Sequence, residues 1–71
     1  MKTVISQRIA RRMRELRQQN DLTQERLSEL SGVDYKHIQL LESKNPPAAK
    51  IDTLEKISEA FDLEVWRFLK F

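Results

Sequence analysis

The stretch TQERLSELSGVDYKHIQLLE, residues 23–42, has the pattern of two short helices joined by a tight turn. Thr23 can cap the first helix, because its hydroxyl can accept a hydrogen bond from a free backbone N–H one turn further on. Gly32 is the only glycine in the chain and falls where the backbone must leave that helix, a position that usually requires a positive φ. Asp34 can cap the second helix. The stretch therefore predicts a helix-turn-helix.

The apolar residues of this stretch recur at helical spacing. Leu27 and Leu30 are predicted to form the buried face of the first motif helix. Ile38 and Leu41 are predicted to face inward on the second helix, and Val33 to be buried between the two helices. The polar residues of the second motif helix are then left to face outward.

Helices are also predicted on both sides of the motif. Residues 1–3 are predicted to form a short arm, and residues 5–19 the first helix, with a core stripe of Ile9, Met13 and Leu16. The paired prolines at 46–47 forbid helix continuation and mark a loop after the motif.

Two further helices are predicted after this loop. The fourth helix covers residues 51–61, and its apolar side consists of Ile51, Leu54, Ile57, Ala60 and Phe61. Asp62 is predicted to end it, because aspartate tolerates the left-handed conformation better than most residues do. A short last helix contains the apolar residues Leu63, Val65, Phe68 and Leu69. No stretch alternates with period two, so the predicted fold is all-α, a compact domain of five helices.

Length and composition limit the class of protein. Seventy-one residues allow one small domain, residues 1–71. The chain has no cysteine, which excludes disulfides and favours a cytosolic protein. No apolar run approaches the ~20 residues of a membrane span, and the N-terminus lacks the apolar block of a signal peptide. We therefore expect a cytoplasmic protein with no membrane partner.

The charge of the chain is distributed unevenly. Residues 1–20 carry six basic residues and one acidic residue, or +5, whereas the remainder carries seven basic and ten acidic residues, or −3. A basic surface at one end suits phosphate groups. A solvated arginine face on a stable helix explains the same run, so the charge only supports a nucleic-acid partner.

The sequence contains no recognisable catalytic or metal-binding set. His37 is the only histidine, and no second histidine or cysteine is available for a nucleophile pair or a ligand set. We expect no enzymatic activity, no cofactor and no metal ion. A lone histidine early in an exposed helix is a surface residue, here a candidate neighbour of phosphate.

In the order and spacing of its residues, nearly the whole chain resembles the Cro/repressor-type helix-turn-helix proteins, the Xre family. The matching residues are Arg14, Arg17, Leu22-Thr23-Gln24-Glu25, Leu27, Gly32-Val33, Ile38, Leu41-Glu42, Asn45-Pro46, Thr53-Leu54, Ile57 and Ala60. The resemblance implies a repressor-like fold and a transcriptional regulator, of bacterial or phage type, that binds double-stranded DNA.

The resemblance also implies a division of roles among the DNA contacts. A helix fits the major groove of B-DNA, where its N-terminal residues reach base edges. Base contacts fall at the positions here occupied by Tyr35, Lys36, Gln39 and Leu40. Phosphate contacts are expected of Thr23, Gln24, His37, Lys44 and Arg12. The family match further pairs Arg17 with Glu42 as a buried ion pair. Lys44 stands where the family tends to have glycine, so Asn45 is expected to take the left-handed position instead.

The sequence leaves two candidate functions open, and for the first it leaves open how a homodimer would form. A sequence-specific regulator would act as a homodimer on a two-fold operator, with Trp66 and Phe71 at the interface because so small a core does not need them. A Trp66 folded back into the core is the alternative. An antitoxin or adaptor on the same fold, with a protein partner such as a toxin, is the second function. Leu40 can touch a thymine methyl group or belong to a protein interface, whereas Lys36 and Gln39 favour DNA.

Overall fold

The computed structural model describes residues 4–71, which form five α-helices and no strand. The helices are α1 (Val4–Gln19), α2 (Gln24–Ser31), α3 (Tyr35–Leu41), α4 (Ile51–Ala60) and α5 (Val65–Phe68). The predicted all-α fold with five helices is confirmed. The short arm predicted for residues 1–3 lies outside the described residues. No helix in residues 4–71 is long and apolar enough to cross a membrane.

All five helices and the turn between α2 and α3 contribute to one hydrophobic core. Its buried side chains are Ile9, Met13, Leu16, Leu27, Val33, Ile38, Leu41, Leu54, Ile57, Phe61 and Phe68. Phe61 and Phe68 stack with their ring centroids 6.3 Å apart, which joins the end of α4 to α5. Each such side chain stabilises the fold by about 1.5–3 kcal/mol when fully buried. This set is therefore the main stabilising contribution in a chain of this length.

Two predicted core residues are exposed. Leu30 is 47% exposed and Ile51 is 71% exposed. On the eight-residue helix α2, the fully buried Leu27 occupies the face that meets the core, and Leu30 lies one turn beyond it. Ile51 is the first residue of α4, whose buried stripe begins one turn later at Leu54. In both cases the apolar period continues past the point where a neighbouring element covers the helix.

Left-handed residues follow α1, α2 and α4 but not α3. Among residues 4–71, φ is positive only at Asp21, Gly32 and Asp62, so the expectation for Asp62 is met and that for Asn45 is wrong. The chain leaves α3 through Ser43 instead. Its backbone N–H and its hydroxyl both donate to the carbonyl of Leu40, at 3.1 and 2.6 Å. These bonds satisfy a terminal carbonyl that a left-handed cap would otherwise serve.

Candidate nucleic-acid interface

The turn between α2 and α3 is held by local hydrogen bonds. The Thr23 hydroxyl accepts from the N–H of Arg26 at 3.0 Å and caps α2, and Gly32 ends the helix with φ of 74°. The Asp34 carboxylate accepts from the N–H of Lys36 at 3.1 Å and caps α3. The two helix caps and the left-handed glycine therefore lie where the sequence predicts them. Together they hold the turn from which α3 begins.

The outer face of α3 is polar and accessible. Ile38 and Leu41 are buried against the core, so the residues between and before them point away from it. The exposed residues are Tyr35, Lys36, Gln39 and Leu40. On a helix of 3.6 residues per turn, Lys36 and Leu40 lie opposite Ile38, and Gln39 flanks them. All four residues predicted to contact bases thus share one exposed surface.

A buried ion pair ties α3 to α1. The Glu42 carboxylate accepts from Nε and Nη2 of Arg17, both at 3.0 Å, in a two-pronged arrangement. Its side chain is 1% exposed and that of Arg17 is 18% exposed. Arg17 also donates to the carbonyl of Leu22, at 3.0 Å, just before the motif. The pair therefore fixes the end of α3 relative to α1 and to the start of α2.

Gln24 stands at the first position of α2 and joins the same network. Its side-chain amide donates to Oε1 of Glu42 at 3.2 Å. A glutamine amide has two N–H groups, so one donor remains for a phosphate oxygen beside the helix N-terminus. The Thr23 hydroxyl accepts the capping bond and can still donate its own hydrogen. These two neighbouring residues present donors on one side of the motif.

The remaining predicted phosphate ligands differ in their surroundings. Lys44 is exposed in the loop after α3, and His37 is half-buried on the flank of that helix. Arg12 has a different role, because its Nε donates to the carbonyl of Phe68 at 2.9 Å and its Nη2 to that of Arg67 at 3.1 Å. Arg12 thus has a structural role at the last carbonyls of α5, and its predicted phosphate contact would have to use its remaining guanidinium N–H groups.

The two residues predicted at a dimer interface lie near the end of the chain. Trp66 is exposed, its indole N–H donates to Oε2 of Glu64 at 2.8 Å, and the guanidinium of Arg67 lies 5.2 Å from its ring centroid. It is not folded back into the core. Phe71 is also exposed, with the guanidinium of Arg8 5.9 Å from its ring centroid.

Two residues have structural roles at this interface that the sequence did not assign to them. Arg14 donates through Nη1 to the carbonyl of Glu42, so it holds the end of α3 beside the ion pair. Its spacing of three from Arg17 places both on one side of α1, which is a usable signal. Ser28 donates to the carbonyl of Val33 at 2.6 Å and closes the turn, and no sequence pattern indicates this bond.

Two of three comparisons with known proteins agree with this geometry. A helix-turn-helix family model, HTH_3, matches residues 13–65. A search of curated proteins finds no match. Among solved structures, the restriction-modification controller protein C.AhdI from Aeromonas hydrophila is 31% identical, with a TM-score of 0.80 over 90% of this chain and 94% of that one. A tyrosine-to-phenylalanine mutant of the restriction-modification controller protein C.Esp1396I has the same fold at 24% identity, with a TM-score of 0.85 over 96% of this chain and 85% of that one.

The family model covers most of the chain, and the similarity to C.AhdI spans nearly all of it. Both comparisons include the turn and the outer face of α3 described above. The chain belongs to the helix-turn-helix family of Xre-type DNA-binding transcriptional regulators.

Proposed function

We propose that this regulator recognises its operator by placing α3 in the major groove. The observation that supports this most is the outer face of α3, where Tyr35, Lys36, Gln39 and Leu40 are exposed on a helix fixed at both ends. Lysine can donate to O6 and N7 of guanine, glutamine can pair with adenine, and an apolar side chain can contact the thymine methyl group. These four residues determine which sequence is bound.

A second group holds the duplex without reading its sequence. Thr23, Gln24, His37 and Lys44 surround the motif and carry donors suited to phosphate oxygens. Because phosphates are the same in every sequence, loss of one such contact weakens all duplexes alike. The two groups therefore differ in their effect on specificity.

Selection of preferred sites from a random DNA library tests this division. Lys36→Ala and Gln39→Ala should change the selected motif and weaken binding to the parent's preferred site by ~1–3 kcal/mol. Gln24→Ala serves as the control and should leave the motif unchanged while weakening every duplex. The proposal fails if the motif is unaltered by changes at Lys36, Gln39 and Leu40, or if no motif emerges at moderate salt.

A homodimer built around Trp66 would give this operator two-fold symmetry. Two shallow depressions meet at Leu63 on the surface beside Trp66. One is basic and is lined by Arg12, Leu63, Trp66, Arg67 and Lys70, and the other is acidic and is lined by Glu59, Asp62, Leu63 and Glu64. In a two-fold interface the same patch meets itself in the opposite sense, so the basic half of one protomer faces the acidic half of its partner. Half-sites would lie about one helical turn, ~10 bp, apart.

Charge reversal tests this interface. Sedimentation with operator DNA and without it should show a dimer for the parent and weaker association for Trp66→Ala. Ile51→Ala removes another exposed apolar residue, on a different helix, and is the control. Arg67→Glu should weaken association, and Glu59→Lys in the same chain should restore it. A parent that stays monomeric at high micromolar concentration under both conditions contradicts the dimer.

The similarity to C.AhdI supports a narrower role. The chain would act as a controller protein of a restriction-modification system and bind the DNA upstream of its own coding region. Fluorescence anisotropy with that DNA at stated salt tests this role, and binding no tighter than to an unrelated duplex would exclude it. A toxin-binding antitoxin is less well supported, because C.AhdI is a controller protein.

A further inference from the structure

A basic pocket lies between α1 and the end of the chain. Its volume is about 240 Å³, and it is lined by Arg8, Arg11, Arg12, Glu15, Lys70 and Phe71. Arg11 and Arg17 are six residues apart on α1, or about 9 Å along the axis at 1.5 Å per residue. Arg8 and Arg11 therefore lie toward the opposite end of α1 from Arg17 and its junction with α3.

The cations of this pocket are poorly neutralised. Four basic side chains and one acidic side chain, that of Glu15, line it. Within residues 4–71, the side chains of Arg11 and Lys70 form no hydrogen bond or ion pair, and Arg8 has only its contact with the Phe71 ring. A concave site lined by one sign of charge concentrates the field and attracts an anion. Arginine in particular suits phosphate, because two phosphate oxygens can accept parallel hydrogen bonds from its N–H groups.

One wall of the pocket is aromatic. Phe71 is 51% exposed, and the guanidinium of Arg8 approaches its ring. An exposed aromatic face beside cations is the arrangement on which nucleic-acid bases stack. The pocket is smaller than the ~300 Å³ from which sites for drug-sized ligands start, so it suits a phosphate group with a base resting against its rim rather than an enclosed cofactor.

We propose that this pocket binds a nucleoside phosphate, with the phosphate held by Arg8, Arg11 and Lys70 and the base stacked on Phe71. Arg12 forms a fixed part of the wall, because its Nε and Nη2 donate to the carbonyls that end α5. The ligand is either a free nucleotide or a nucleotide of a single strand, since both present the same phosphate and an unpaired base. The site is separate from α3 and does not require a duplex.

Isothermal titration of the parent with ATP, tripolyphosphate and adenosine, at about 0.15 M salt, tests both parts of the site. ATP should bind saturably, tripolyphosphate more weakly, and adenosine not measurably. Arg11→Ala should weaken ATP binding about tenfold, the loss expected for one charge-assisted hydrogen bond. Arg11 is the variant of choice because it does not line the depression beside Trp66.

Two further variants separate charge from stacking. Phe71→Leu should weaken ATP about fivefold, at the low end for loss of one stacked base, and leave tripolyphosphate unchanged. Lys56→Ala removes an exposed lysine of α4 and should change neither affinity. The proposal is overturned if Lys56→Ala acts like Arg11→Ala, if Phe71→Leu leaves the preference for ATP over tripolyphosphate unchanged, or if neither ATP nor an oligonucleotide binds.

A short 5′-phosphorylated oligodeoxythymidine distinguishes the two sources of the ligand. Oligonucleotide binding that depends on Arg11 and Phe71, with no binding of ATP, identifies a single strand as the ligand. ATP binding that the oligonucleotide does not displace identifies a free nucleotide. Either result supports the site.

Discussion

Arginines in the two halves of α1 have different surroundings. Toward its C-terminus, Arg14 and Arg17 are bonded to the end of α3, and Arg17 is largely buried. Toward its N-terminus, Arg11 has no side-chain partner within residues 4–71, and Arg8 contacts only the ring of Phe71. The difference shows that a basic run in a sequence is not one functional surface. Part of it stabilises the fold, and only the unpaired part is free to meet an anion.

The ion pair at the C-terminal half should give the largest effect on stability. Glu42→Ala leaves Arg17 without its carboxylate, and loss of one partner of a buried pair costs roughly 3–5 kcal/mol. We expect the lower end, because Arg17 keeps the carbonyl of Leu22. Since 1 kcal/mol corresponds to about 4–8 °C at this size, the melting temperature should fall by about 12 °C or more.

Glu29→Ala is the control for that measurement. Glu29 forms the exposed pair with Arg26 on α2, for which a contribution of ~0–1 kcal/mol is usual. Similar melting temperatures for Glu42→Ala and Glu29→Ala would contradict the structural importance of the buried pair.

Arg12, in the middle of α1, should give the next largest effect. Arg12→Ala removes the two donors that satisfy the last carbonyls of α5 and should cost about 2 kcal/mol, since these bonds involve a charged donor. Urea denaturation measures the loss. Arg12→Lys keeps the charge but not the two fixed donors. Its free energy of unfolding should therefore lie between those of Arg12→Ala and the parent. If Arg12→Ala unfolds at the same urea concentration as the parent, its bonds to α5 do not stabilise the fold.

Arg14 should have a smaller effect than Arg12. Arg14→Ala removes a single bond to the carbonyl of Glu42 and should lower the free energy of unfolding by about 1 kcal/mol. The same urea titration gives the value. A loss as large as that of Glu42→Ala would mean that Arg14, rather than the ion pair, is the main tie between α1 and α3.

Arg11 should have the smallest effect. Because its side chain is exposed and unpaired, Arg11→Ala should change the free energy of unfolding by less than about 0.5 kcal/mol. Thermal melting of Arg11→Ala and Arg14→Ala under the same conditions provides the comparison. A loss equal to that of Arg14→Ala would show that the N-terminal half of α1 also carries a structural arginine.

The parts of the fold that the sequence predicted correctly depend on local chemistry. Thr23, Gly32 and Asp34 each act within a few residues of themselves, through a capping bond or a left-handed φ. The exposed face of α3 was also predicted correctly, because Ile38 and Leu41 define the buried side of the same helix. A period of 3.6 does not show where a neighbouring helix stops, and for that reason Leu30 and Ile51 were assigned to the core.

By itself the sequence determined the five helices, the turn, and the set of residues that face away from the core on α3. It did so because hydrogen bonding, φ preference and apolar spacing operate over a single turn or helix. Only the tertiary structure decided which arginines are structural. Arg12 and Phe68 are far apart in the chain, and their bond exists because α5 ends beside α1. The same packing left the Arg11 guanidinium without a hydrogen-bond or ion-pair partner among residues 4–71.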